Sequence, residues 1–438
     1  MSDSLPLFDT SAVASTVPLG QEAGKGAPRV LEPQRLQGEM RFEIPDDLVS
    51  ATHPARLLWN LTGTMPLAAF SAECASVEGK AGRGIISPRM LLTLWLYAVT
   101  QAVGSAREIE RLTKRDAAYR WVVGDLDVSH HTLSRFRVSH GEALNTLMTD
   151  ILAALLEKGL LSLDVVGQDG TRIRAAASPP SFRTYGSLLE CRQQAALHLK
   201  AVLAAADDPE YTRAQHTARA AAARDYQERV EAAITTVTEL QKQRSPKDDP
   251  ARASTTDAEA RVMKMPDGGF RPGYNVQYAV AGSPMGGPST VVGVKVTNIG
   301  SDMGSLLPMV EQVDERTGDR PTALLADSGH AKHEDIVDTR NLGVDVLVPP
   351  KKTAKTIEQL KLEGAAPQVI AWRERMESDE AKKLYRARAG LVELNNAHQK
   401  THHGIEQVLV RGTAKVTCVI LFHVIASNLL QHASRLLG

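Results

Sequence analysis

At Leu163 the apolar spacing of this chain changes, and no other feature constrains the fold as much. Before it, from about residue 40, apolar residues recur at three- and four-residue steps. Leu91, Leu92, Leu94, Trp95 and Val99 follow Pro88; Ile109 and Leu112 follow Ser105; Leu133, Phe136, Leu144, Leu147, Ile151 and Leu155 form one long series that Gly159 ends. That is helical period, with proline at a tolerated first-turn position and serine as a cap. From Leu163 a run of small and apolar residues to Gln168 reads as a buried strand, with Asp169-Gly170 as the turn that ends it. An Ala-rich helical stretch at about 187–244 and a charged linker at 245–256 come next. Strands at 274–280, 291–297, 323–326 and 345–348 then alternate with helices. Strands mixed with helices in this order predict an α/β domain with a mixed five-stranded sheet and a helical insertion, behind an all-α N-terminal domain. The expected limits are a disordered Gly/Pro/Ser/Ala-rich leader at 1–38, helices at 39–160, and the α/β domain at 161–438 with its insertion at about 187–250.

Composition narrows the classes. Aromatics are only 4%, so a core must rest on Leu, Val, Ile and Ala. Cys74, Cys191 and Cys418 form no CxxC pair, which predicts neither a disulfide frame nor a zinc site and fits a reducing compartment. The N-terminus lacks a basic start followed by an apolar run, so no signal peptide is expected. The apolar run at 417–426 falls short of the roughly 20 residues of a membrane span, and His423 interrupts it; a buried C-terminal helix is expected. The formal net charge of +0 leaves nucleic-acid binding open, because an average hides basic patches.

Three carboxylates carry the chemistry. Asp169 and Asp327 each follow an apolar strand and precede a glycine, Asp327 within Ala323-Leu324-Leu325-Ala326-Asp327-Ser328-Gly329. Open α/β sheets place ligands at the carboxyl ends of strands, and Mg2+ takes a few carboxylates with water. Taken singly, each aspartate equally fits a turn. Glu393 sits on a helix whose Lys400, seven residues on, shares its face. Between Ala381 and Val416 stand seven Lys/Arg against two Glu. A lone acid among cations suits a metal ligand beside a phosphate backbone; the same segment read alone also fits a solvated helix.

These residues lie in blocks that together resemble the DDE-type insertion-sequence transposases. Thr132-Leu133-Ser134-Arg135-Phe136-Arg137 is similar to the family's "TLxRFR", and Asp169-Gly170-Thr171-Arg172-Ile173-Arg174-Ala175-Ala176-Ala177-Ser178 to "DGTKIRANAS". Ser254-Thr255-Thr256-Asp257, Arg261-Val262-Met263-Lys264 and Gly273-Tyr274-Asn275-Val276-Gln277 resemble "TDPDARxMK…GYNVQ"; Ala326-Asp327-Ser328-Gly329-His330 resembles "ADAGY". Tyr385, Arg388, Glu393 and Lys400 are spaced like the Y-R-E-K signature. His330 stands where the family has Tyr, Ala176 where it has Asn, and 395–399 lack the usual aromatic and Gly.

The resemblance implies an RNase H-like catalytic domain. Asp169, Asp327 and Glu393 would be catalytic ligands of two Mg2+ ions, with Mn2+ as a substitute. The partners implied are duplex DNA, as terminal inverted repeats and as target, and further copies of the chain in a dimer or higher oligomer; no membrane is involved, and the setting is the bacterial cytoplasm and nucleoid. Arg135, Arg137, Arg172, Arg388 and Lys400 are the candidate DNA contacts, with Arg107, Arg111, Lys114 and Arg115 adding charge to the helical domain. Arg174 and Lys264 fit phosphate contacts or solvated charges equally. Tyr385, Asn275, Gln277 and Asp257 are expected to support the acids; Asn275 and Gln277 share one strand face, which fits equally a support turned toward Asp169 or a polar outer face. Other acids read as structural: Asp164 on the wrong strand face, Glu334 and Asp335 in a helix's first turn, Asp302 as a helix cap, and Asp257 as a cap or a support. A non-catalytic DNA-binding descendant and an RNase H-like nuclease are the rival readings.

Overall fold

The structure, a computed structural model, describes residues 42–71, 84–205, 210–245, 248–283, 285–351 and 353–437. The expected leader at 1–38 and Cys74 lie outside them. From Ile44 onward the chain is one unit.

Its first half is helical: α1 (Pro54–Gly63), α2 (Pro88–Thr100), α3 (Ala106–Leu112), α4 (Ala117–Val123), α5 (His130–Ser139) and α6 (Gly141–Glu157). Proline opens α1 and α2, while the side chains of Ser105, Asp116 and Ser129 accept first-turn N–H groups of α3, α4 and α5. Every residue of α2 from Met90 to Val99 is buried, as befits a helix apolar all round. The single long helix expected from Leu133 to Leu155 is two. His140, at φ −118 and ψ 38, breaks it. Its ring packs on Phe136 and Phe70, and a Cβ on Gly141 would lie 3.2 Å from Cys418 Sγ.

That cysteine belongs to the last helix, α15 (Thr413–Leu437), numbered after the intervening elements below. The expected buried C-terminal helix is there and is longer than the apolar run indicated. It is long and apolar enough to cross a membrane, yet most of it is buried against α1, α2, α5, α6 and the sheet. The helical half and the α/β half therefore share one core.

The sheet forms from β1 (Val165–Arg174), β4 (Arg261–Lys264), β5 (Phe270–Gly282), β6 (Ser289–Thr297), β7 (Ala323–Leu325) and β8 (Asp345–Leu347). Its principal order is β6-β5-β1-β7-β8. The short β4 pairs with the first residues of β5, on the edge where β6 follows. The β5 pairs are antiparallel and β1-β7-β8 parallel, so the sheet is mixed, as expected, with β4 added to the five strands. Edge strand β6 is held to α15 by Asn428, whose Oδ1 accepts from Val291 N at 2.9 Å and whose Nδ2 donates to Val291 O at 2.8 Å. One amide thus satisfies backbone groups that an open edge leaves free.

Between β1 and β4, the strands β2 (Phe182–Arg183) and β3 (Ala253–Ser254) pair at the base of a hairpin of α7 (Tyr185–Ala204) and α8 (Arg213–Lys242). A Thr212–Gln215 capping box starts α8. The remaining elements are α9 (Leu306–Thr317), α10 (His333–Asn341), α11 (Ile357–Leu362), α12 (Pro367–Glu377), α13 (Asp379–Tyr385), a π-helical turn (Ala389–Glu393) and α14 (Leu394–Thr401).

Two core histidines set an acid limit on this fold. Burial, with His398 and His402 nearby, lowers His403 to about 4; burial, with His403 nearby, lowers His423 to about 3. Both values lie below the unfolded value near 6.5. Their contribution is therefore intact above about pH 6.5 and is lost as pH falls through that value toward the folded values, because only the unfolded chain takes up the protons. Each histidine should cost about 1.4 kcal/mol per pH unit in that window. Urea unfolding at pH 6.5 and at pH 5 measures this; equal midpoints would contradict it.

Candidate active site

The parallel pairing of β1 with β7 ends at Gly167 opposite Leu325. Two residues further on each chain stand Asp169 and Asp327, and Asp327 is still extended at φ −79, ψ 172. Side chains two apart share a strand face, so the two carboxylates leave neighbouring strands on the same side. The strand does not end at Asp169 as expected: β1 continues to Arg174, paired with β5 throughout. Asp169 instead marks where the parallel partner stops, so its β7 side is open.

Glu393 comes to the same face on the π-helical turn, which packs on β1 and β5. Gly167 permits the approach, because a Cβ there would overlap Val392 Cγ2. At Gly282 a Cβ would lie 2.6 Å from Leu391 Cδ2. The i→i+5 bonding of a π turn stacks residues five apart, and Arg388 Nη1 meets Glu393 Oε1 at 2.7 Å. Arg388 Nη2 lies 3.4 Å from Asp169 Oδ2. One guanidinium thus joins the first and third acids. Among the described residues, no three acidic, histidine or cysteine side chains have their donors gathered around one point.

Burial raises the Asp169 carboxyl above its ordinary range; Arg388 opposes this and the charge of Asp327 adds to it. Asp327 is lowered, chiefly by its hydrogen bond with His330, 2.8 Å from Nδ1 to Oδ1, and further by the Gly329 N–H. The other ring nitrogen of His330 meets Gln277 Oε1 at 3.2 Å. Burial opposes protonation of Arg388, but Asp169, Tyr385, Asp327 and Glu393 outweigh it and hold its value up. Tyr385 is half-buried near this cation and all three acids, and burial raises its phenol. Lys400 is lowered by burial and feels Glu406, Arg172 and Asp169.

Two residues that sequence reasoning passed over touch the acids. Asn396 donates through Nδ2 to Asp169 Oδ2 at 3.1 Å, while its buried Oδ1 has no partner. It lies three residues after Glu393, a spacing that puts both on one helix face and gave the only signal. His330, fully buried, was visible only as a replaced Tyr.

Other expected residues sit elsewhere. Asn275 and Gln277 do not face Asp169: they pair with Arg172 and Gly170 and so project from the opposite side of the sheet. There both donate to Asp302 Oδ1, at 2.7 and 2.6 Å, while Arg172 holds Asp302 Oδ2 at 2.9 Å. Asp302 is therefore the centre of a buried polar cluster under Gly170 and not a helix cap. Gln277 still reaches Asp327, through His330. Asp257 is buried as the acceptor of Tyr274 Oη at 2.7 Å and Gly412 N at 3.3 Å; among the described residues it bonds to none of the three acids and caps no helix. Asp335 reaches beyond its own helix and accepts from Leu306 N and Leu307 N at the start of α9.

Among the basic candidates, Arg137 is buried, donates to Gly104 O at 2.6 Å and lies 4.7 Å over the Trp95 ring. It is a packing residue on the Leu133 side of α5, whereas Arg135 is exposed, as are Arg107, Arg111, Lys114 and Arg115. Arg174 pairs with Glu406 at 3.3 Å, and Lys264 is exposed.

Residues 43–139 match the family of the transposase domain (DUF772), and residues 238–429 match the family of the transposase DDE domain. The second match contains Asp327 and Glu393; Asp169 lies between the two. No curated protein and no solved structure matches the chain.

Proposed function

This chain belongs to the DDE transposases, and from that premise we propose that it cuts DNA at the ends of an insertion sequence and joins the freed ends to target DNA, with Asp169, Asp327 and Glu393 as ligands of Mg2+. The observation that carries this reading is the strand register, which sets Asp169 and Asp327 side by side with the Glu393 turn on the same face. The donor set fits a hard cation: three carboxylates and the unpartnered Asn396 Oδ1 are all oxygen. Bound there, a pair of Mg2+ or Mn2+ ions would activate water or a 3′-hydroxyl and stabilise the departing oxygen.

The protein's own residues prepare that site. His330 and the Gly329 N–H keep Asp327 ionised and fixed. Asn396 fixes one oxygen of Asp169. Lys400, half-buried with no ion pair among the described residues, is positioned to take a phosphate near Asp169. Arg135 and the exposed cations that begin in α3 offer the helical half to the DNA backbone. The working form is a dimer or higher oligomer on DNA in the bacterial cytoplasm.

The test is a nicking assay with the full chain, Mg2+ and a duplex carrying the terminal inverted repeat. Nicks at the repeat boundary, leaving 3′-hydroxyls, are expected. Equal cleavage of a random duplex or an RNA–DNA hybrid would contradict the proposal.

A further inference from the structure

Resting on that reading of the three acids, we propose that Arg388 is a placeholder cation: it holds Asp169 and Glu393 together in the metal-free protein and must give way for the metal to load. Three features of the structure point to this. Arg388 is the one side chain that bonds to two of the acids, at 3.4 Å to Asp169 and 2.7 Å to Glu393, among the described residues. Its side chain is only 12% exposed, so its charge is screened little by solvent, and it is felt at Asp327 too. Its Nε is buried with no partner, so the guanidinium keeps an unused donor where it lies.

The backbone offers a way out. Arg388 and Glu393 meet because the turn between them is π-helical. A return to α-helical winding would move a residue by roughly 100° about the axis per position of register lost, which separates the pair. Glu393 is the most exposed of the three acids, at 55%, so solvent can take up its carboxylate once the Arg388 bond opens. The released guanidinium is then close enough to a DNA strand at Asp169 to grip a phosphate with its planar fork. Metal loading and DNA engagement are thereby coupled: the phosphate draws away the cation that competes with the metal. Without DNA, the guanidinium competes with metal for Asp169 and Glu393 and metal binds weakly, which protects the cell's DNA from an enzyme armed too early.

The experiment is a Mn2+ titration of the full-length, DNA-free protein by calorimetry, with wild type, Arg388→Gln and Arg388→Lys. Removing one charge-assisted competitor should tighten Mn2+ binding about tenfold in Arg388→Gln. The same variant should melt at a lower temperature than wild type in EDTA and regain more of the difference with Mn2+. Lysine keeps the charge but cannot span two carboxylates, so Arg388→Lys should tighten binding by a smaller factor, about threefold, and decides the matter if the glutamine variant does not fold. Equal or weaker Mn2+ binding in the folded variants, with wild type binding, overturns the placeholder alone. No Mn2+ binding by any of the three overturns it together with the metal-site reading.

Discussion

Asp327→Asn should abolish Mg2+-dependent nicking of a terminal-repeat duplex while leaving affinity for that duplex within about twofold. The amide keeps the size of the carboxyl and still offers an oxygen to the Gly329 N–H, so the turn after β7 stays closed. What disappears is the negative charge that makes the group a ligand for a hard cation. Metal ions contribute several kcal/mol to phosphoryl transition states, and a factor of ten needs about 1.4 kcal/mol, so a rate loss of about a thousandfold or more is expected. Nicking within tenfold of wild type would remove Asp327 from the chemistry. Loss of binding together with a lower melting temperature would show instead that the substitution had damaged the fold.

Gly167→Ala should be nearly as harmful, although the residue carries no chemistry. Its Cβ would overlap Val392 Cγ2, so either β1 or the π turn must shift. Overpacking of this kind costs about 1–3 kcal/mol, and the strain falls on the turn that delivers Glu393 beside Asp169. A displacement near 1 Å at a reacting centre is worth about a hundredfold in rate. The diagnostic result is rescue. Val392→Ala removes the methyl groups in the way, so Gly167→Ala with Val392→Ala should recover most of the lost rate, with strong coupling in the double-mutant cycle. A fully active Gly167→Ala single variant would mean that the Glu393 turn need not sit so close.

Much of this arrangement was legible before the fold. Asp327 ends an apolar strand whose period and following Ser-Gly are local, and the three acids sit in recognisable blocks. What escaped was set by partners distant in the chain. Asp169-Gly170 looks like a turn because that dipeptide usually is one. Here β1 runs through it, since Gly170 lies over Asp302 and Gln277, which no local pattern announces. Period two told correctly that Asn275 and Gln277 share a face, but which face depends on the register with β1, and one step of register reverses every side chain. Arg137 stood in a basic motif, yet its neighbours Gly104 and Trp95 come from earlier elements and make it a core residue. The long helix expected from Leu133 to Leu155 is interrupted at His140, whose ring packs on Phe70 from an earlier element, a tertiary contact. The two family matches leave Asp169 between them, so its assignment depends on the strand register.

The central claim is that Asp169, Asp327 and Glu393 converge as ligands of divalent metal, and crystals of the protein bound to a terminal-repeat duplex and soaked in Mn2+ test it most directly. Anomalous scattering should show Mn2+ within about 2.0–2.4 Å of oxygens of Asp169 and Asp327, with Glu393 turned in and Arg388 moved to a phosphate. Mn2+ bound elsewhere, or the Arg388 bridge still closed over a nicked duplex, would contradict the account.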